Sequence, residues 1–123
     1  MKRKIVLIDD DERFMDMFSR YLERTGIFEV FKLLPRDDLL KQVRSIQPDL
    51  ILLDILMPHR TGSEMLDDFH DDDEHLLRVI FLTGIISSEQ VNNNILEIGP
   101  CKYLSKGLPV ERMIELINQE VSC

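Results

Sequence analysis

Acidic side chains follow directly behind two short apolar runs. Asp9, Asp10, Asp11 and Glu12 come after Lys4-Ile5-Val6-Leu7-Ile8, and Asp54 comes after Leu50-Ile51-Leu52-Leu53. Thr83 closes another run, Val79-Ile80-Phe81-Leu82, and Lys106 lies just past Tyr103-Leu104. Runs this short and this apolar read as buried strands, so each polar residue stands where a strand leaves the core. Carboxylates brought within a few ångströms of one another repel and favour a hard cation. One or two protein carboxylates, completed by water and a phosphate oxygen, are the ligands that Mg²⁺ prefers. A lysine ammonium and a threonine hydroxyl beside them could neutralise and hydrogen-bond a phosphoryl group. Together these residues suit phosphoryl transfer onto a carboxylate nucleophile.

Such chemistry needs a scaffold that gathers residues far apart in the chain. Between the strands, apolar residues recur at helical spacing. Phe14, Met17, Phe18, Tyr21 and Leu22 form one face of a helix that Gly26 terminates. Phe28–Leu34 reads as a less buried strand ended by Pro35; with only Leu33, Leu34 and Pro35 at its end, it is peripheral. Leu39, Leu40, Val43 and Ile46 mark the next helix, which Pro48 ends, and a short helix after Met57-Pro58 holds Met65, Leu66 and Phe69. Ser87 and Gln90 fit a capping box, opening a helix that runs to about Ile98. Pro109 suits the first turn of a last helix, with Met113, Ile114, Ile117 and Val121 facing inward.

Five strands alternating with five helices predict an α/β architecture, a doubly wound parallel sheet covered on both faces. In such sheets ligands bind at the carboxyl ends of the strands, where the strand order reverses. With the order 2-1-3-4-5, the polar strand ends fall side by side along one edge.

At 123 residues the chain is the size of one domain and long enough to bury a core. Its net charge of −8, from 15 basic and 23 acidic residues, argues against direct nucleic-acid binding through a basic surface. No window is apolar enough for a membrane span, and the apolar run after Met1-Lys2-Arg3-Lys4 is too short for a signal-peptide core. Cys101 and Cys123 form no framework and are expected to be free thiols. A cytoplasmic domain is the expectation. The patch His70-Asp71-Asp72-Asp73-Glu74-His75 has no recognisable ligand spacing and reads as a solvated loop.

From end to end the chain resembles a receiver domain of two-component response regulators, close to the chemotaxis-regulator type. The residues that carry the resemblance are IDDDE at 8–12, PDLILLDILMP at 48–58 with Gly62 beyond, VIFLTG at 79–84 and YLSK at 103–106. The resemblance implies a flavodoxin-like (βα)5 fold and a single receiver domain over 1–123, with no output domain in this chain. It implies Asp54 as phospho-acceptor, taking the group from a histidine kinase, a histidine phosphotransfer protein or a small phosphodonor. Mg²⁺, with Mn²⁺ as a substitute, would be bound by Asp10 directly, by Asp9 mainly through water, by Asp54 and by the backbone carbonyl of Leu56. Thr83 and Lys106 would hold the phosphoryl oxygens, and Thr83 with Tyr103 would form the switch. The switched surface would comprise segment 87–98, the strand at 103–106 and the last helix. It would be read by a downstream effector protein or domain, and a homodimer through the last helices stays open. Asp11 reads instead as a helix cap.

Several positions depart from the family pattern. Gly107 stands where a proline, often after a cis bond, usually follows the lysine. A trans bond and a less firmly held Lys106 are therefore expected. Leu56 and Ile85 lie two residues beyond the acceptor and the threonine, at positions that tune attack by water. Both are apolar and cannot orient it, so slow autodephosphorylation is implied.

The competing reading is a pseudo-receiver, an interaction module that keeps the fold without the phosphorylation. A phosphatase of the haloacid dehalogenase type needs a second aspartate where Leu56 stands, and no P-loop sequence occurs. An FMN site after the first strand would meet four acids that repel phosphate.

Asn92, Asn93 and Asn94 each cost about 0.5–0.7 kcal/mol relative to Ala in a helix interior. The amides of segment 87–98 should therefore exchange with solvent faster than those of the first and last helices. Equal protection in a hydrogen-exchange measurement would refute this.

Overall fold

The computed structural model describes residues 2–34, 38–55, 78–84, 95–98 and 101–122. In chain order these form β1 (Arg3–Ile8), α1 (Glu12–Arg24), β2 (Phe28–Leu33), α2 (Leu39–Ile46), β3 (Leu50–Asp54), β4 (Val79–Thr83), β5 (Leu96–Ile98), β6 (Cys101–Ser105) and α3 (Val110–Val121). One sheet joins the strands in the order β2-β1-β3-β4-β6-β5. The five strands anticipated from the sequence are mutually parallel and lie in the expected order, with β6 as the fifth.

Strand alternation divides the core into two layers. Ile5, Leu7, Leu50, Leu52, Ile80, Leu82 and Leu104 pack toward α1 and α3, against Phe18, Leu22, Met113 and Ile117. Val6, Ile8, Ile51, Leu53 and Phe81 face the other way, onto Leu39 and Val43 of α2. The last four residues of β1, Ile5 to Ile8, and all five of β3 are buried, as a strand covered on both faces requires.

Local signals set the helix ends. Asp11 caps α1: its Oδ1 accepts the backbone N–H of Phe14 at 3.1 Å, and Glu12 adds negative charge to the first turn. Gly26 takes φ +78° just beyond the helix, in the left-handed region that favours glycine. Gln47, immediately before Pro48, ends α2 with φ 55° and donates its N–H to the Val43 carbonyl. Pro109 precedes α3 at its N-cap.

Two expectations need correction. The helix from Ser87 does not reach Ile98: residues 96–98 form β5, which pairs antiparallel with β6 and adds a sixth strand at the sheet edge. Leu96-Glu97-Ile98 alternates apolar and charged residues, and Gly99-Pro100 separates it from Cys101, a turn-favouring pair between two strands. The buried face of α1 is also rotated from the expected one. Met15, Phe18, Ser19 and Leu22 are buried, whereas Met17 is 37% and Tyr21 40% exposed. The helix carries more apolar residues than one stripe facing the sheet can hold.

The short third helix (Met65, Leu66, Phe69), the start of the helix at Ser87 and the acidic patch 70–75 lie outside the described residues. No described helix is long and apolar enough to cross a membrane.

The far end of the sheet is tied to α3 by charge. Lys102 on β6 hydrogen-bonds Glu120, with Glu97 of β5 at 3.9 Å, and the Arg78 guanidinium donates to the Glu120 carbonyl at 3.0 Å. The Glu120 hydrogen bond raises the Lys102 pKa above 10.5, against the opposing effect of burial. A raised lysine pKa means the stabilisation is fully present below 10.5 and fades as pH climbs through the folded-state value. With Lys102 37% exposed, solvent screening keeps the effect at about 1 kcal/mol or less. In urea titrations, Lys102→Met should cost that much at neutral pH, and the gap to wild type should narrow above pH 10.5. A gap that widens there contradicts the assignment.

Candidate functional site

Strand β1 lies between β2 and β3, so the strand order reverses at its carboxyl end. Ile8 and Leu53 are register partners, which sets the next residues, Asp9 and Asp54, side by side. One strand further, Asp54 pairs with Leu82 and Thr83 pairs with Ser105, immediately before Lys106. Backbone bonds carry the ladder past the strand ends: Ile55 N–H donates to the Leu82 carbonyl at 3.1 Å and Lys106 N–H to the Thr83 carbonyl at 2.9 Å. Sheet register thus delivers four residues, Asp9, Asp54, Thr83 and Lys106, to one edge.

The burial of these groups differs. Asp9 has no exposure, Asp54 is 8% exposed, Thr83 is buried, and Asp10 faces solvent. A carboxylate from each of Asp9, Asp10 and Asp54 lies within 4.8 Å of the others. Asp9 is satisfied on both oxygens. Its Oδ1 accepts the Asp11 N–H at 2.9 Å, and its Oδ2 meets the Lys106 ammonium at 2.7 Å. Lys106 Nζ also stands 3.7 Å from Asp54 Oδ1. One ammonium in contact with two of three clustered carboxylates leaves an excess of negative charge, and the donor set is all oxygen. Both properties suit a hard divalent cation such as Mg²⁺, and the cluster could hold one.

The backbone around Lys106 has contacts of its own despite the glycine that follows it. The described residues contain no cis peptide bond, in line with the expected trans linkage. The turn is fixed instead by Ser105, whose buried Oγ accepts the Gly107 N–H at 3.1 Å, and by Leu108, buried in the core. A Cβ at position 107 would sit 3.3 Å from that Oγ, so glycine suits the close approach.

The remaining candidates fall into two groups. Tyr103 is half-buried, with its ring stacked on Phe81 at 5.4 Å between centroids, as their pairing across β4 and β6 dictates. Leu56 and Ile85 lie outside the described residues. Ser105 and Phe14 join the site without having been singled out. Ser105 was visible only as part of YLSK, and the helical spacing of Phe14 placed it with the core residues.

An open α/β sheet with an acid pocket at its switch point is the architecture of the receiver domains that regulate two-component signalling. The response regulator receiver domain family matches residues 5–118, and the chain belongs to that family. It is 31% identical over 120 residues to the polar-differentiation response regulator DivK of Brucella anthropi, covering 96% of this chain and 95% of the relative. The Brucella ovis DivK is 30% identical with the same coverage. The CheY-like receiver of Methanospirillum hungatei shares the fold with a TM-score of 0.76 and 24% identity, covering 99% of this chain and 95% of that one. The chemotaxis protein CheY4 of Vibrio cholerae does so with a TM-score of 0.78 and 20% identity, over 97% and 98% of the two chains.

Crowded carboxylates predict a measurable response to metal. Mg²⁺ at about a hundred times its Kd should stabilise the fold by about 2.7 kcal/mol, read as a rise in melting temperature. Asp10→Asn should blunt that rise and raise the melting temperature of the metal-free protein, since it removes one of the repelling charges. A full Mg²⁺ response in the variant would remove Asp10 from the cation site.

Proposed function

We propose that this receiver domain accepts a phosphoryl group on Asp54 from a histidine kinase or a histidine phosphotransfer protein, with Mg²⁺ as cofactor. The observation that carries the reading is the acid cluster itself, in which the Asp54 carboxylate lies within 4.8 Å of Asp9 and Asp10 and 3.7 Å from the Lys106 ammonium. A solved response regulator from Burkholderia pseudomallei adds support. It has a TM-score of 0.70 and 25% identity, covering 98% of this chain and 69% of that one, and it carries a phosphorylated aspartic acid and a calcium ion.

In the transfer, an Asp54 oxygen attacks the phosphorus of the phosphohistidine. The P–N bond breaks, an acyl phosphate P–O bond forms, and the electron pair leaves with the imidazole. The metal, when bound by Asp9, Asp10 and Asp54, supplies positive charge to the phosphoryl oxygens. Lys106 is close enough to add a second positive charge, and Thr83, at the adjacent strand end, offers a hydroxyl donor. Because Thr83 and Lys106 close β4 and open the turn after β6, movement of either toward the phosphoryl group is passed to Tyr103 and to the β5–β6–α3 surface. That surface is the one we assign to effectors.

The test is intact-mass measurement after incubation with acetyl phosphate and Mg²⁺. The wild type should gain one phosphoryl group, and Asp54→Asn should gain none. The gained mass, followed after the donor is removed, should persist, because Leu56 and Ile85 cannot orient an attacking water. No gain from either the small donor or a phosphorylated phosphotransfer protein would favour the pseudo-receiver reading.

A further inference from the structure

A lysine side chain has several rotatable bonds, and an ammonium poised over two carboxylates needs more than charge to fix its direction. Gly107 has no side chain that could restrain its neighbour. The structure instead places an aromatic ring against Lys106: its Nζ lies 4.5 Å from the centroid of Phe14, within cation–π range. The ring is itself immobilised. Phe14 belongs to the first turn of α1, where its N–H is bound by the Asp11 cap. One turn on, its ring stacks against that of Phe18, at 5.3 Å and 20°, and Phe18 has no exposure. The buried core therefore fixes Phe18, Phe18 fixes Phe14, and the half-buried Phe14 ring borders the space Lys106 occupies.

We propose that Phe14 is a positioning residue for Lys106, its ring holding the ammonium where it reaches both Asp9 and Asp54. The inference rests on the reading of Lys106 as the group that neutralises the phosphoryl oxygens. A ring face attracts a cation while competing for its protons far more weakly than an oxygen acceptor does. The ammonium thus keeps its protons for the carboxylates and for an incoming phosphoryl oxygen. The same contact joins the start of α1 to the end of β6, two elements remote in sequence that both border the acid cluster.

The test uses two variants and two readouts. Phe14→Leu keeps apolar bulk against Phe18 but removes the aromatic face, and Phe14→Tyr keeps the face. The first readout is the chemical shift of the Lys106 side-chain methylene next to Nζ, assigned with Lys106→Arg. A ring current should shift it upfield in wild type and in Phe14→Tyr, and the shift should vanish in Phe14→Leu. The second is the rate of phosphorylation by acetyl phosphate with Mg²⁺. It should fall roughly three- to twentyfold in Phe14→Leu, the range that the loss of one cation–π contact implies, and recover in Phe14→Tyr. An unshifted methylene in wild type, or wild-type kinetics in Phe14→Leu, overturns the proposal. If the wild type takes up no phosphoryl group, the functional reading fails, and the methylene shift alone decides whether Phe14 holds the lysine.

Discussion

A carboxylate with no exposure to water, Asp9, sits at the end of β1, and its charge must be met inside the protein. An unpaired buried charge costs several kcal/mol, so its partners are part of the condition for folding. Lys106 comes to it from the far end of the chain and the Asp11 N–H from the next turn. The Asp11 contact is local, but the arrival of Lys106 depends on the sheet register: β1 beside β3, β3 beside β4, β4 beside β6. A slip of one residue in any of these pairings would turn Asp9, Asp54 or Lys106 to the wrong face. The acid pocket and the packing of the sheet are therefore specified together.

The same arrangement holds the pocket in tension. Three carboxylates cluster around a site where one ammonium meets only two of them, Asp9 and Asp54, a balance that binding of a cation or a phosphoryl group would change at once. Lys106 lies on the turn between β6 and α3, with Ser105 and Leu108 fixing its backbone and the Phe14 ring against its ammonium. A change in charge at Asp54 is thus felt by groups rooted in α1, β4 and β6. At the opposite end of β6, Lys102 and Glu120 bind the strand to α3, so strand and helix are coupled at both ends.

Much of this was legible in the chain. Apolar runs that are buried in the sheet carry a strong signal, and each such run ended at or near a polar residue that the sheet brings to one edge. Asp9, Asp54, Thr83 and Lys106 could be read because strand ends are marked by an abrupt change of polarity. Asp11 could be separated from its neighbours because a helix N-terminus has its own chemistry, and its carboxylate does accept the Phe14 N–H. Weaker signals failed where periodicity was ambiguous. Leu96-Glu97-Ile98 is too short to separate a strand from a helix end by pattern, and pairing with β6 decided the matter. In α1, the apolar positions span more than one face, and packing against the sheet selected Phe18 and Leu22 over Met17 and Tyr21.

The sequence by itself determined the class of fold, the identity of the acids and the residue types that could act on a phosphoryl group. It did so because alternation of strands and helices, and the polar residues at strand ends, are local properties of the chain. Only the tertiary structure decided how those groups meet: Asp9 wholly buried and paired with Lys106, Asp10 facing solvent, and the Phe14 ring turned to the ammonium. Those distances come from register and from helix packing, which sum contacts between segments remote in sequence and are encoded in no single stretch of it.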